Sequence, residues 1–331
     1  MPLKLTMRYD MRGPDFGAPL DALYAACLDQ CEWADRLGFD TVFFGEHHGA
    51  EDGYCPYPVL LAGAAAARTS RITLHVSALV VTLHDPLRLA EDLALVDLMS
   101  KGRLMVTMGI GYRPHEFEMF GVDPAQRVAI MEETVDTLQK AWTGEPFEFR
   151  GRTVRVTPRP YQKGGPKLIM GGSTHASARR AARSGLDYYP GHPDFYETYR
   201  AERKALGLPE PQPMPRWGPN ALYVTHDPEK AWAEVGPHIL YTTNSYAQWA
   251  TERGSGATTY KPVAKVEDLK AFPNFQVVTP EQAVAYAKTL GPDGRLSIQP
   301  LIGGLPPATA WKSLELFEKE VLPGLKREGL I

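Results

Sequence analysis

At 331 residues the chain is long enough to bury a large core, and 44% hydrophobic with 23% charged residues is ordinary globular composition rather than fibrous or disordered. A formal net charge of −3 supplies no basic field for nucleic acid or anionic lipid, which favours small-molecule partners. No signal-peptide core follows Met1, and no later run is apolar for long enough to span a bilayer, so the expected setting is the cytoplasm, away from the membrane.

Strand and helix patterns alternate along the chain. An apolar strand-like run at 3–9 precedes a helical pattern at 20–37, 40–46 precedes 58–69, 72–80 precedes 86–100, and 103–109 precedes 125–142. The second half continues with 167–171 before 174–184, 186–190 before 194–206, 219–225 before 228–250, and 296–302 before 308–326. Gly38, Gly102, Gly144, Gly185 and Gly207 stand where helices should end, and Pro86 and Pro228 where they should begin. Eight strand-helix units predict an α/β fold, a closed (β/α)8 TIM barrel, as one domain over 1–331.

Two segments interrupt the repeat. Residues 145–161 read as a short hairpin around Arg150 and Gly151, inserted before the fifth strand. Residues 251–279 carry Gly254, Gly256, paired threonines and two prolines without clear periodicity, which predicts a loop insertion acting as a lid, or else a plain surface excursion. Cys27 and Cys31 share the apolar stripe of the first helix and read as buried thiols, while Cys55 lies in a loop near the second strand's end. Asp97, Lys101, Gly102 and Arg103 read as a helix terminus with a structural acid-base pair.

The second strand runs through Phe43, Phe44 and Gly45 into Glu46, His47 and His48 with no polar turn before them. The carboxyl ends of parallel strands are where such sheets bind ligands, so His47, titrating near neutrality, is the leading candidate for proton transfer. A hydrogen-bonded core histidine is the plainer alternative, and the role of His48 is left open. Gly171, Gly172, Ser173, Thr174 and Ser177 close the fifth strand and open a helix, a pattern suited to a phosphate or to simple helix capping. Gly109 and Gly111 end the fourth strand, where they allow a flat ring close to the backbone or form an ordinary turn. No metal site is expected, because only the second strand clearly offers ligands.

Four ordered runs then carry a family resemblance: residues 38–48, 86–103, 109–117 and 166–174. Together they resemble the bacterial luciferase-like flavin-dependent monooxygenases, most specifically across 36–117. The resemblance implies reduced FMN at the barrel's carboxyl-terminal face, with the phosphate on Gly171, Gly172, Ser173, Thr174 and Ser177. It implies that Ser77 and Ala78 lie against the ring, in a segment where the family carries an unusual cis peptide, and that Gly109 and Gly111 border it. Family members can carry cysteine where this chain has Gly109, which excludes thiol chemistry there. Where the family places a basic residue this chain has Ile110, so Arg113 is the nearest cation for the phosphate and His175 the other candidate.

The activity so implied is a two-component monooxygenase that receives reduced flavin from a separate reductase and uses O2 to oxygenate a small organic substrate. Tyr112, Phe16 and the 251–279 loop are candidate pocket walls. The alanine-rich run 62–67 makes a smooth helix that can pack closely either inside the barrel shell or across a dimer interface, and the resemblance implies a homodimer through this region. A deazaflavin-dependent dehydrogenase or reductase transferring hydride, to which Glu116 is not foreign, is one alternative. A non-catalytic flavin-binding protein is another.

Overall fold

The computed structural model describes residues 2–252 and 261–331. Strands occupy Lys4–Tyr9 (β1), Thr41–Phe44 (β2), Thr73–Val80 (β3), Leu104–Gly109 (β4), Phe147–Phe149 (β5), Arg152–Val154 (β6), Lys167–Gly172 (β7), Asp187–Pro190 (β8), Ala221–Val224 (β9), Phe275–Val278 (β10) and Arg295–Ile298 (β11). Helices occupy Leu20–Leu37 (α1), Pro58–Arg68 (α2), Pro86–Ser100 (α3), Pro114–Phe120 (α4), Arg127–Ala141 (α5), His175–Arg183 (α6), Pro193–Ala205 (α7), Pro228–Glu252 (α8), Val266–Leu269 (α9), Pro280–Leu290 (α10), Pro307–Leu316 (α11) and Leu322–Arg327 (α12). Among the described residues no helix is long and apolar enough to cross a membrane. The chain divides into two compact units, one made of Met1–Phe43, His48–Pro56 and Pro215–Ile331, the other of Phe44–His47 and Tyr57–Met214.

In the first unit β1 pairs in parallel with β11, from Lys4 opposite Arg295 to Met7 opposite Ile298. The helix α1 forms because Leu23, Ala26, Cys27, Cys31 and Ala34 repeat at helical spacing and bury one stripe, and it stops where Gly38 turns left-handed at φ 92°. Cys27 and Cys31 are buried thiols, as their stripe predicts, and Cys55 is buried too; burial pushes the Cys27 thiol up, away from reactivity. The ring of Trp33 packs against Phe39 and edge-on against Trp311, and Phe39 packs on Phe317, which seals the last helical segment onto this unit.

A buried charge cluster also belongs to this unit. Arg12 is 0% exposed and donates from Nη1 to Asp52 Oδ2 at 2.5 Å, while Asp10 lies 3.7 Å from its Nε. Its guanidinium stands over the rings of Trp249, Tyr54 and Tyr246 at 4.3, 4.9 and 4.9 Å. The Tyr241 hydroxyl donates to Asp52 at 3.0 Å, and Gln299 donates to Asp10 at 2.9 Å. The loops after β1 and β2 are thereby tied to α8.

In the second unit β3, β4, β7 and β8 follow one another as parallel neighbours, with Val106 opposite Val76 and Leu168, and Met170 opposite Tyr188. Asp85 caps α3 by accepting from the N–H groups of Leu87 and Arg88, and Pro86 fills its first position. The α3 terminus is structural, as expected, but its pairing differs. Asp97 accepts from the backbone and side chain of Gln162 at 2.8 and 2.7 Å, whereas Arg103 donates to the carbonyls of Thr69, Ile72 and Ser100. A five-donor guanidinium can hold several helix-end carbonyls at once, which explains an arginine here. The hairpin of β5 and β6 turns at Arg150 and Gly151, both at positive φ, as the sequence pattern predicts.

The parallel α/β reading therefore stands, with three local corrections. Residues 275–290 hold β10, which pairs in parallel with β9, and α10, which starts with a Thr279–Gln282 capping box; only part of 251–279 is loop. Gly254, Gly256 and the paired threonines lie outside the described residues. The expected strand at 296–302 ends at Ile298, because Gly303 and Gly304 take positive φ and turn the chain. The expected helix at 308–326 is broken by a wider five-residue turn, Phe317–Val321, placed just before Pro323, whose ring lacks the donor a regular turn needs.

Candidate active site

In the second unit most strand positions are buried, and several positions toward the carboxyl ends are partly accessible. Ser77 and Ala78 on β3, Gly109 and the following 110–112 after β4, and Gly171 and Gly172 on β7 are all partly accessible. The Ser77–Ala78 peptide is cis, in the segment where the resemblance implied such a bond. Pairing between β3 and β4 slips at this point, from Ser77 opposite Thr107 to Leu79 opposite Met108, so Ala78 bulges out of the ladder. Gly109 has an ordinary backbone, and a Cβ there would stand 3.3 Å from the Ala78 methyl. Gly111 is required on two counts: φ is +70°, and a Cβ would lie 2.9 Å from the Phe117 ring.

His47 follows β2 and is 8% exposed. Its Nδ1 lies 2.7 Å from Glu116 Oε1, on the first turn of α4, and Glu116 is 1% exposed. Arg113, at the start of that helix, is buried and places Nη1 3.6 Å from the same oxygen. A carboxylate accepts only, so Nδ1 carries the proton and Nε2 is left as the working nitrogen. Nε2 faces the Tyr112 hydroxyl at 3.4 Å.

Glu46 is buried and does a different job. One oxygen accepts from the Val80 N–H at 2.6 Å and the other meets His84 Nε2 at 2.7 Å, so its carboxylate fixes the end of β3 beside the bulge. His48 is buried.

The turn after β7 places Gly171, Gly172, Ser173 and Thr174 together. Thr174 caps α6, accepting from the Ser177 N–H at 3.0 Å, and Ser177 Oγ accepts from the Thr174 N–H at 3.2 Å. Ser177 Oγ also meets the Tyr188 hydroxyl at 3.0 Å, and a Cβ on Gly172 would collide with it at 2.3 Å. Ser177 is thus a buried brace, whereas Ser173, Thr174, His175 and Ala176 are exposed at the helix's amino end. His175 Nδ1 meets Thr198 Oγ1 at 2.7 Å. The structure brings Arg113 to Glu116, at the His47 end of the site. Glu116 is the partner of His47 that reading by strand ends underrates, because it sits on a short helix beyond the strand.

Three comparisons bear on this geometry. The family described as luciferase-like monooxygenase matches residues 14–280. Among curated proteins, the chain is 32% identical to the uncharacterised protein y4vJ of Sinorhizobium fredii over 186 residues, 55% of this chain and 51% of that one. It is 34% identical to limonene 1,2-monooxygenase of Rhodococcus erythropolis over 149 residues, 42% of this chain and 38% of that one. The matches thus span about half the length of these relatives, or less. The crystal structure of monooxygenase RslO1 from Streptomyces bottropensis superposes with a TM-score of 0.73 at 26% identity, covering 97% of this chain and 99% of that one.

Proposed function

The chain belongs to the luciferase-like monooxygenase family, and from that premise we propose that it is a two-component flavin-dependent monooxygenase. It takes reduced FMN from a separate reductase in the cytoplasm and uses O2 to oxygenate a small organic substrate. We read 1–331 as one (β/α)8 barrel domain, supported by the likeness to RslO1 along nearly the whole chain. The observation that carries the catalytic reading is the buried His47–Glu116 pair, with Nδ1 2.7 Å from the carboxylate oxygen.

The residues present fit a flavin. The exposed amino end of α6 offers backbone donors and the hydroxyls of Ser173 and Thr174 to a phosphate, where the helix dipole favours an anion. Ser77, Ala78, Gly109 and Gly111 carry little or no side chain and are partly accessible, which suits the close approach of a flat ring. Ser177 supports the phosphate turn from behind, and Arg113 supports Glu116. Bound there, reduced flavin would supply the electrons and the oxygen chemistry, and the protein supplies position, dryness and protons. Glu116 holds His47 in one tautomer, and His47 Nε2 gives or takes the proton.

The deazaflavin reading draws on the same Glu116–His47 pair, which could equally serve hydride transfer. Anaerobic titration with reduced FMN and with reduced deazaflavin coenzyme separates the two. Saturable quenching of protein fluorescence is expected with FMN, followed on aeration by oxygen uptake that responds to an organic substrate. Saturation by deazaflavin alone, with no substrate-dependent oxygen uptake, would sink the monooxygenase reading.

We also propose a homodimer through α2 and α3, whose packed pair leaves Leu60 72% exposed together with Leu95, Leu98 and Met99. Such a run of large apolar side chains is costly to leave in water. Leu60→Glu is expected to shift the protein to half its mass by sedimentation while keeping its circular dichroism. An unchanged dimer would move the interface elsewhere.

A further inference from the structure

We propose that Tyr112 is the outer member of a proton relay that runs Glu116–His47–Tyr112, so that the phenol oxygen, rather than the imidazole, is the group presented to the reacting molecule. The relay rests on the monooxygenase reading for its purpose, but its geometry stands apart from it.

The argument begins at the buried end. Glu116 Oε1 lies 2.7 Å from His47 Nδ1, and an ionised carboxylate only accepts, so the proton between them belongs to Nδ1. In the neutral imidazole Nε2 is then a lone pair. The Tyr112 hydroxyl stands 3.4 Å from that nitrogen, with the two rings edge to face at 83° and 5.5 Å apart. The phenol proton is the one available to that contact, so Tyr112 donates and Nε2 accepts. The separation is long for such a bond, as catalytic contacts commonly are before a ligand closes the site.

Exposure sets the direction. His47 is 8% and Glu116 1% exposed, while Tyr112 is half-buried, so Tyr112 is the most accessible of the three groups. The left-handed turn at Gly111 brings the phenol beside Nε2.

The transfer balances as follows. With His47 protonated, Nε2–H donates to the Tyr112 oxygen. The Tyr112 O–H bond breaks as its proton passes to a basic oxygen of the reacting molecule, and the His47 Nε2–H bond breaks as that proton replaces it on Tyr112. The acceptor gains one proton, His47 loses one, and Tyr112 and Glu116 end unchanged. Transfer in the opposite direction would use the same two bonds. Tyr112 acts on the outside through His47, which makes two protons move in one step.

Tyr112→Phe tests this, compared with the wild type in two ways. Without flavin, nitrogen NMR of histidine-labelled protein, with His47 assigned through His47→Gln, is expected to show Nε2 moving to the unbonded position in Tyr112→Phe while Nδ1–H is unchanged. An Nε2 signal identical in the two proteins would overturn the relay. With reduced FMN as the probe, oxygen uptake is expected to fall by about 10–100-fold in kcat with KM for FMN within about twofold, as for loss of a proton-transfer group. In mixtures of light and heavy water the wild-type rate should curve with deuterium fraction and the variant rate should be linear; the same curvature in both would also overturn the relay. If neither protein takes up oxygen, the monooxygenase reading fails, and the NMR comparison still decides whether Tyr112 holds Nε2.

Discussion

His47→Ala is expected to keep reduced-flavin affinity within about threefold and to lower turnover by about 10²–10⁴-fold, the range for removing a positioned proton-transfer group. The reason lies in the division of the site. The surfaces proposed for the ring and phosphate are the strand ends at 77–78, 109–111 and 171–174, whereas His47 stands with Glu116 on α4. Glu116→Gln should be nearly as damaging, because an amide no longer dictates which imidazole nitrogen carries the proton. The double variant should be little worse than either single one, since residues that act as a unit do not add. Single-turnover oxygen uptake after anaerobic loading makes the measurement, with flavin affinity read separately. Full turnover in His47→Ala would return His47 to a structural role.

What the sequence made legible was what lies in one short run. The strand entering Glu46 and His47, the glycines ending β4, and the Gly171 to Thr174 turn each carry their signal within a few neighbours, and the structure places all of them at carboxyl strand ends of one unit. What escaped was short or distant. The strand β10 has four residues and α4 seven, too few for a period to declare itself, though the Thr279 and Gln282 spacing was a readable helix start. Arg113 looked like a phosphate cation because it is the basic residue nearest the end of β4. Its i,i+3 spacing from Glu116 across Pro114 is the signal that its Nη1 also comes within 3.6 Å of that carboxylate. Capping by Ser173 or Thr174 is the plainer reading of that turn, and Thr174 does cap α6, with Ser177 completing the box. The Arg12 cluster was invisible, because its partners stand at 52, 54, 241, 246 and 249 and no local pattern joins them.

Arg12→Ala should be the most destabilising single change, about 3–5 kcal/mol, the cost of leaving a buried partner charge uncompensated. Asp52 would keep the Tyr241 hydroxyl but lose its cation, and Trp249, Tyr54 and Tyr246 would border a hole. Burial works against the guanidinium's charge, yet Tyr246, Asp10 and Asp52 outweigh it and hold its pKa above the ordinary value, so the wild-type cluster stays charged. Asp10 gives the effect a pH dependence. Burial already pushes its carboxyl up, and Arg12 is the main influence pulling it back, so removing Arg12 raises it further. A group with a raised folded pKa has its stabilising effect in full below the unfolded value and loses it as pH rises through the folded one. The penalty of Arg12→Ala should therefore be larger at pH 8 than near pH 5, where Asp10 becomes neutral more readily. Urea unfolding followed by tryptophan fluorescence, which Trp249 makes sensitive to this cluster, measures both quantities. Arg12→Ala combined with Asp52→Asn should recover part of the loss, because the stranded charge goes with it. A loss below about 1 kcal/mol, or one that does not change between the two pH values, would mean that the cage of rings rather than the charge network ties α8 to the loops after β1 and β2.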